Sequence, residues 1–241
     1  MSHLILVRHG ESRWNLTNRF TGWVDVPLSQ RGVEEAIICA KKLEKIRIHH
    51  GFTSNLERAH ETLTLILSRQ KLTGIFLHPN ENKQEWYSCE HHSEKTDILV
   101  HNTSLLNERY YGQLQGLDKD FARKKFGERS VLSWRRSYTV RPPGGESLVD
   151  VYKRVIPFFN KRIVPHLKDG KNVIVSAHGN SLRVLLKYLE KIPVSDLPNL
   201  DLPPAIPLIY KYREGVYKRT SGKLKYTRPL DWDCEDCAVR L

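Results

Sequence analysis

Two segments of this chain share one layout, in which a short apolar run ends in a histidine followed by a glycine. The first run ends in His9-Gly10 and the second in His178-Gly179. Apolar runs of this length are typical of buried strands. Ligands in open α/β sheets bind outside the carboxyl ends of the strands. If the two strands are parallel and adjacent, both histidines lie in one crevice, which leaves few arrangements for the rest of the fold.

The remaining pattern alternates strands with helices. Strands are predicted near 4–7, 51–53, 74–78, 172–177 and 206–212. Ser29 and Ser54 are predicted N-caps of two helices, the second with Glu57 completing a capping box. Further helices are expected over 118–137, 148–159 and 181–189, the middle one kinked by Pro157. This alternation predicts a three-layer α/β/α sandwich with a mainly parallel central sheet.

The length of 241 residues suits one large domain. We predict a single domain over residues 1–217. The stretch from Asn80 to Asn102 is rich in Glu, Lys and His without clear periodicity, so an exposed insertion is predicted at about 80–102. Residues 218–241 are predicted to form a C-terminal tail, basic at first and acidic at 231–236.

The net charge of +12 predicts that the surface attracts anions: nucleic acid, anionic lipid or a phosphorylated metabolite. No apolar run approaches the roughly 20 residues that span a bilayer, and no signal peptide is evident, so a cytoplasmic protein without membrane partners is predicted.

Four cysteines are too few for a disulfide framework. The pairs His49-His50 and His91-His92 are interpreted as solvated, Cys234 and Cys237 lack further ligands nearby, and no metal is expected.

The paired histidines suit phosphoryl transfer through a nucleophilic imidazole. A histidine with a pKa near ~6.5 is largely neutral at physiological pH, and a phosphohistidine splits one difficult transfer into two easier ones. The transferred group is strongly anionic, so it needs cationic donors, for which Arg8 and Arg58 are candidates. His178 or Asn180 would bond the same oxygens during transfer.

Several segments in order now carry a resemblance to a known family. They are Arg8-His9-Gly10-Glu11-Ser12-Arg13-Trp14-Asn15, Phe20-Thr21-Gly22-Trp23, Leu106-Asn107-Glu108-Arg109-Tyr110-Tyr111-Gly112, Leu114-Gln115-Gly116-Leu117, Trp134-Arg135-Arg136 and Ala177-His178-Gly179-Asn180-Ser181-Leu182-Arg183. The two histidine motifs resemble the core of the histidine phosphatase superfamily. The full set resembles the 2,3-bisphosphoglycerate-dependent phosphoglycerate mutases and covers residues 4 to about 212.

The resemblance implies a phosphoglycerate mutase-like fold and a metal-free glycolytic and gluconeogenic enzyme. It implies interconversion of 3- and 2-phosphoglycerate through phosphorylated His9, primed by 2,3-bisphosphoglycerate, with Glu108 as general acid/base. The other catalytic residues implied are Arg8, Arg58 and His178. The implied substrate-binding residues are Ser12, Asn15, Thr21, Gly22, Arg109, Tyr111, Lys119, Arg135, Arg136, Gly179 and Asn180. A homodimer is left open.

Three alternatives stay open at this point. A bisphosphoglycerate mutase or phosphatase would share the histidine core, although Ser12 favours the glycolytic enzyme because relatives specialised in bisphosphoglycerate synthesis tend to have glycine there. A broad-specificity histidine phosphatase would not need the second cationic cluster of Lys119, Arg135 and Arg136. A non-enzymatic anion-binding or nucleic-acid-binding protein would use only the positive surface.

Overall fold

The computed structural model describes residues 1–77, 93 and 95–226. The strands are β1 (Ser2–Arg8), β2 (His50–Thr53), β3 (Thr73–Leu77), β4 (Asp97–Asn102), β5 (Val173–Ala177), β6 (Leu200–Asp201), β7 (Leu208–Arg213), β8 (Val216–Ser221) and β9 (Lys225–Tyr226). The α-helices are α1 (Arg13–Leu16), α2 (Gln30–Leu43), α3 (Glu57–Leu67), α4 (Lys119–Phe126), α5 (Glu128–Arg136), α6 (Leu148–Phe158), α7 (Val164–Lys168) and α8 (Gly179–Glu190). Three 3-10 turns cover Ser104–Leu106, Gly112–Leu114 and Val194–Asn199.

Seven strands form the main sheet in the order β3-β4-β2-β5-β1-β7-β8. The five from β3 to β1 are parallel, and β7 and β8 add two antiparallel strands at one edge. Strands β1 and β5 are neighbours, with Arg8 opposite Ala177. The predicted condition is therefore met, because both histidine segments leave the same edge of the sheet side by side.

Helices cover both faces of the sheet, as alternation along β1 requires. Leu4 and Leu6 join a core cluster with residues of α6 and α8. Ile5 and Val7 join a second cluster with residues of α2 and α3. Since successive side chains of a strand point to opposite faces, one strand contributes to both cores. The fold thus confirms the predicted α/β sandwich with a mainly parallel sheet.

The two predicted serine caps have different outcomes. Ser29 caps α2, because its side chain accepts a hydrogen bond from the Gly32 N–H. The prediction for Ser54 was wrong: α3 begins at Glu57, and its N-cap is Leu56 without a side-chain bond. The Ser54 hydroxyl lies 2.7 Å from the His178 ring, so it is committed to the site instead.

The helical stretches after the middle of the chain are interrupted. The region predicted as one helix over 118–137 is two helices, broken at Gly127, whose φ of +84° is unsuited to a helix. The helix carrying Pro157 ends at Phe158 and continues through a π-helical turn over Phe159–Ile163 into α7. An inserted proline removes a helical hydrogen bond, which accounts for the change of winding.

The predicted insertion at 80–102 was wrong for its last part. Residues Asp97–Asn102 form β4, which lies inside the sheet between β3 and β2. Ile98 and Val100 are fully buried, while alternate residues are half-buried. This short strand alternates buried and half-buried residues, and its pattern was missed because a long polar stretch precedes it. Residues 80–92 and 94 of the predicted insertion lie outside the described residues.

The predicted boundary at residue 217 falls inside β8. This strand pairs antiparallel with β7, so the main sheet continues to Ser221. Most of its residues are exposed, and its sequence carries no apolar signal. Farther on, β9 pairs with β6. Residues 227–241 of the predicted tail lie outside the described residues. None of the helices in the described part of the chain has the length and apolar character needed to cross a bilayer.

Candidate active site

A cavity of about 150 Å³ opens at the carboxyl ends of β1 and β5. Thirteen of the predicted site residues line it: Arg8, His9, Asn15, Thr21, Gly22, Arg58, Glu108, Tyr111, Lys119, Arg135, Arg136, Gly179 and Asn180. Seven cationic side chains face a small volume, because Arg19 and Arg183 add to the five predicted ones. The carboxylates of Glu108 and Asp201 in the lining offset these charges only in part. Such a cavity suits a small ligand with several negative charges.

His9 is held as a neutral imidazole with one nitrogen available. Its Nδ1 lies 2.6 Å from the carbonyl oxygen of Gly10. A carbonyl only accepts, so Nδ1 carries the proton and Nε2 keeps a lone pair. That lone pair accepts a hydrogen bond from Arg58 Nε at 3.3 Å. The arrangement aims a nucleophilic nitrogen beside a guanidinium.

The electrostatics favour the same protonation state. Burial lowers the pKa of His9 well below its ordinary value, and the charges of Arg58 and Arg8 lower it further. The bond to Gly10 opposes this shift but does not reverse it. His9 is therefore neutral at neutral pH, with its one proton on Nδ1, and an imidazole in this state can act as a nucleophile.

Arg58 is almost fully buried and is fixed by the main chain. Its guanidinium donates to the carbonyls of Gly22 at 2.8 Å and Val24 at 3.1 Å. Burial lowers its pKa to about 10, with Glu108 and Asp25 opposing the shift, so it remains charged at neutral pH. The charge is thus positioned next to His9 before any ligand arrives.

His178 lies behind His9, with ring centroids 5.0 Å apart. It is fully buried and does not line the cavity. Its Nε2 is 2.7 Å from Ser54 Oγ, and its backbone N–H donates to Ser181 Oγ at 3.0 Å. Burial lowers the pKa of His178, with Arg58 and His9 adding to the effect.

Glu108 follows the 3-10 turn Ser104–Leu106 and lines the cavity. Its Oε1 accepts the backbone N–H of Arg109 at 2.7 Å and that of Asn180 at 3.2 Å. A β-carbon added at Gly179 would lie 3.7 Å from Oε2, so glycine leaves this oxygen room toward the ligand space. The carboxylate is therefore anchored by one oxygen only.

The second cationic cluster is formed by Lys119, Arg135 and Arg136. Lys119 begins α4 and the two arginines end α5, so the break at Gly127 folds opposite ends of one sequence stretch toward the same cavity. Burial lowers the pKa of Lys119, and the charge of Arg135 lowers it further. Burial likewise lowers the pKa of Arg135.

Three predicted site residues lie outside the lining of the cavity: Ser12, Arg109 and His178. Ser12 caps α1 through its side chain. Arg109 is fully buried behind Tyr111, to whose hydroxyl it donates at 3.0 Å, and it also binds the carbonyl of Arg135. In this structure, Arg109 and Ser12 support the walls of the cavity from behind.

Four lining residues were not predicted: Arg19, Phe20, Arg183 and Asp201. Arg183 donates to Asn180 Oδ1 at 2.5 Å and twice to the carbonyl of Leu200. Its place four residues after Gly179, one helical turn on, was the available signal. Asp201 comes from the distant short strand β6, and no residue pattern around it indicated a place in the site.

The predicted solvated histidine pairs differ. His50 is in β2, half-buried, with its ring centroid 4.0 Å from that of His166, so a loop was the wrong interpretation there. His91-His92, Cys234 and Cys237 lie outside the described residues. Within 1–77, 93 and 95–226, no group of three or more His, Cys, Asp or Glu side chains is arranged to hold a metal ion.

Comparison with known proteins agrees with this geometry. The profile of the histidine phosphatase superfamily (branch 1) matches residues 4–87 and 83–220. The chain is 48% identical to the 2,3-bisphosphoglycerate-dependent phosphoglycerate mutase of Methanosarcina acetivorans, covering 92% of this chain and 96% of the relative. It is 46% identical to the corresponding mutase 1 of Gloeobacter violaceus, covering 93% and 99%. The chain belongs to the histidine phosphatase superfamily.

Solved structures share the fold. One described as mycobacterial hydrolase 1 superposes with a TM-score of 0.72 at 23% identity, covering 92% of this chain and 98% of the other. A mycobacterial glucosyl-3-phosphoglycerate phosphatase superposes with a TM-score of 0.70 at 24% identity, covering 91% and 98%. At these identities the likeness concerns the fold alone.

Proposed function

We propose that this protein is a phosphoglycerate mutase that interconverts 3-phosphoglycerate and 2-phosphoglycerate through a phosphohistidine on His9. The observation that carries the proposal is the presence in one cavity of a neutral, lone-pair-bearing His9 and a second cationic cluster of Lys119, Arg135 and Arg136. Relatives at 46% and 48% identity over almost their whole lengths bear the corresponding name. The protein is thus an isomerase of the glycolytic and gluconeogenic type.

In the proposed reaction, His9 Nε2 forms a bond to phosphorus as the bond from phosphorus to the substrate oxygen breaks. Arg58 and Arg8 bind the transferring oxygens, and their charge offsets that of the phosphoryl group. His178 lies close enough to His9 to donate a hydrogen bond at the same place. Asn15 and Gly179 complete the wall around this end of the cavity.

Glu108 is proposed to give a proton to the substrate oxygen as it leaves and to remove one from the hydroxyl that next attacks the phosphohistidine. An alkoxide is a poor leaving group, so a positioned proton donor and acceptor accelerates both half-reactions. The lining position of Glu108 and the anchoring of only Oε1 leave the second oxygen for this task. Lys119, Arg135 and Arg136, with Tyr111, Thr21, Gly22 and Asn180, are proposed to hold the carboxylate and the other phosphate.

The cavity fits 2,3-bisphosphoglycerate as the priming phosphoryl donor. Thr21 Oγ1 and Arg8 Nε, from two lining residues, and His178 Nδ1, from the ring behind His9, are buried without a hydrogen-bond partner in the described part of the chain. Buried donors without partners are costly, and anionic oxygens would satisfy them. Bound there, this group supplies the first phosphoryl group to His9. The residues that would hold its two phosphates are Arg8, Arg58, Lys119, Arg135 and Arg136.

The test is a coupled assay of 2-phosphoglycerate formation from 3-phosphoglycerate, with and without added 2,3-bisphosphoglycerate. We expect turnover that requires priming and an acid-labile phosphoryl group on His9, detected by mass spectrometry of intact protein and peptides. Lack of mutase turnover together with rapid release of inorganic phosphate would instead support a phosphatase. Retention of mutase turnover in His9→Gln would contradict the proposal outright.

The finer assignments rest on the sequence. A homodimer, a cytoplasmic location and a single domain stay predictions, the last with its boundary beyond residue 217 because the main sheet continues to Ser221. The same holds for the absence of nucleic-acid partners. Gel filtration with light scattering tests the dimer, and a salt titration of DNA binding tests the last point, since phosphate-backbone binding weakens steeply with added salt.

A further inference from the structure

Arg154 of α6 directs every N–H of its guanidinium to an acceptor, yet it does not line the cavity. Its Nε and Nη2 bind the two oxygens of Glu146, each at 3.0 Å. Its Nη1 donates to the carbonyls of Leu105 at 2.8 Å and Asn107 at 3.0 Å. Its Nη2 also donates to the carbonyl of Glu108 at 3.0 Å. All five N–H donors of the guanidinium therefore have an acceptor.

The three carbonyls belong to the segment that carries the proposed acid/base. Glu146 grips the same segment from the other side, because its Oε2 accepts the Tyr110 N–H at 2.9 Å and its own N–H donates to the Tyr110 carbonyl at 2.8 Å. Trp23 Nε1 adds a bond of 2.5 Å to the Glu108 carbonyl. The main chain is therefore fixed before, at and after Glu108.

Burial makes this clamp effective. The Arg154 side chain is 13% exposed and that of Glu146 21% exposed, so their ion pair is only weakly screened by water. By contrast, the carboxylate of Glu108 itself is tied at one oxygen, by two backbone N–H groups. The position of the other oxygen thus depends on where the main chain of residues 105–110 lies. Misplacing a reacting group by about 1 Å can cost a rate factor of about 10².

We propose that Arg154, paired with Glu146, is a positioning residue that fixes the main chain around Glu108 and thereby aims its free oxygen at the leaving hydroxyl. This inference rests on the proposed function, since it needs Glu108 to act on the substrate oxygen. It adds two residues that touch neither substrate nor phosphoryl group. Arg154→Lys should remove most of the five bonds while keeping a charge at the site.

The experiment compares two phosphoryl donors that use the same His9. With 2,3-bisphosphoglycerate and 3-phosphoglycerate, the leaving alkoxide requires a proton. With p-nitrophenyl phosphate, the P–N bond to His9 forms as the P–O bond breaks, and the electron pair leaves with a stable nitrophenolate that needs no proton. We expect R154K to lower mutase kcat about 10²-fold. The first-turnover release of nitrophenolate should stay within about threefold of the wild-type rate, on the same positioning argument.

Arg141 supplies the matched control. Its guanidinium donates two hydrogen bonds, of 2.6 and 2.7 Å, to the carboxylate of Asp150, which like Arg154 belongs to α6. Unlike Arg154, Arg141 has a side chain that is 63% exposed, and neither residue lines the cavity. R141K should leave both rates unchanged. E146Q should act as R154K does but more weakly, because the amide keeps one acceptor, and the double variant E146Q/R154K should be no worse than R154K alone.

The outcomes separate the inference from the proposed function. E108Q serves as reference: it should lose mutase turnover and keep nitrophenolate release. If E108Q loses neither or both, the acid/base role of Glu108 is wrong, and the clamp proposal falls with it. If E108Q behaves as expected while R154K and E146Q lower both rates equally, or lower neither, then Arg154 is overturned as a positioning residue. Thermal unfolding of each variant identifies a folding loss directly.

Discussion

His9 and His178 follow neighbouring parallel strands, yet their side chains meet different surroundings. His9 lines the cavity, with its Nδ1 bound to its own neighbour's carbonyl and its Nε2 beside Arg58. His178 is fully buried behind it and is bound through Nε2 to Ser54. The comparison teaches that one layout of strand, histidine and glycine can place one ring in the lining of the cavity and the other fully buried behind it.

The glycines that follow the two histidines, Gly10 and Gly179, also differ in their surroundings. A β-carbon at Gly10 would lie 2.4 Å from the carbonyl oxygen of Gly32, against the start of α2. A β-carbon at Gly179 would lie no closer than 3.7 Å to any neighbour, facing Glu108 and Arg8. Gly10 is therefore required by packing of main chain against main chain, and Gly179 by the space left for a ligand.

The largest expected effect is that of removing the His9 nucleophile. His9→Gln should lower mutase kcat by about 10⁵-fold or more, as expected when a covalent nucleophile is lost. The variant should also fail to acquire the acid-labile phosphoryl group. Steady-state assays and intact mass spectrometry measure both. If His9→Gln retains even about a hundredth of the activity, His9 is not the nucleophile, and the proposed difference between His9 and His178 is wrong.

His178→Gln should have a smaller effect, a loss of about 10²- to 10³-fold in kcat, typical of removing one donor to the transferring group. Phosphorylation of His9 should still be detectable, only slower, in a rapid-quench measurement. Ser54→Ala is the companion variant, because it removes the partner of His178 Nε2 without altering His9. Equal losses for His9→Gln and His178→Gln would erase the distinction between the two positions.

The glycine pair gives the next effect, on stability rather than rate. Gly10→Ala should lower the free energy of unfolding by about 1–3 kcal/mol or more, because the main chain of Gly32 must move. Gly179→Ala should leave stability almost unchanged and affect substrate KM instead. Urea denaturation and initial-rate kinetics of both variants provide the comparison. A stable Gly10→Ala protein would show that α2 can shift at no cost.

The smallest effect concerns pH. The pKa values of His9 and His178 are both lowered in the folded state, chiefly by burial, so the unfolded chain binds more protons once the pH falls below about 6.5. Stability should therefore be full above that pH and decrease as the pH falls, by at most about 1.4 kcal/mol per unit for each histidine. The double variant His9→Gln/His178→Gln should show a smaller dependence of the free energy of unfolding on pH, measured by urea denaturation between about pH 7 and pH 5.

A third histidine sets the control for that measurement. Burial lowers the pKa of His101 to about 4, with Arg162 and His166 contributing. His101 lies on β4, in contact with Phe52 and away from the cavity. The double variant should therefore keep the part of the slope that His101 provides. An unchanged slope would show that neither site histidine is buried as a neutral ring.

The sequence predicted those parts of the molecule whose cause is local. The apolar runs of β1 and β5, the cap at Ser29 and the paired histidines follow from residues close together in the chain, and the parallel sheet follows from their alternation. β4 was missed because a polar stretch precedes it, and β8 because an exposed edge strand carries little apolar signal.

The sequence indicated most of the residues that line the cavity, but not which side chains of each motif point into it. Membership in a motif does not reveal whether a side chain reaches the cavity or supports its wall. Ser12 and Arg109 belong to the predicted set but lie outside the lining. Asp201 enters from a strand far along the chain. The bonds of Arg154 go to main-chain carbonyls, which leave no trace in residue types.

The crowding of cations in the cavity has a consequence for the protein's lifetime. Lys119 and Arg135 have lowered pKa values because they are buried close to other positive charges, so gathering them costs folding free energy. A bound anion repays this cost only in the folded state, and stability then rises with the logarithm of its concentration. Resistance to heat and proteolysis should therefore follow the level of phosphorylated acids around the protein, and the chain persists longest where its substrates are abundant.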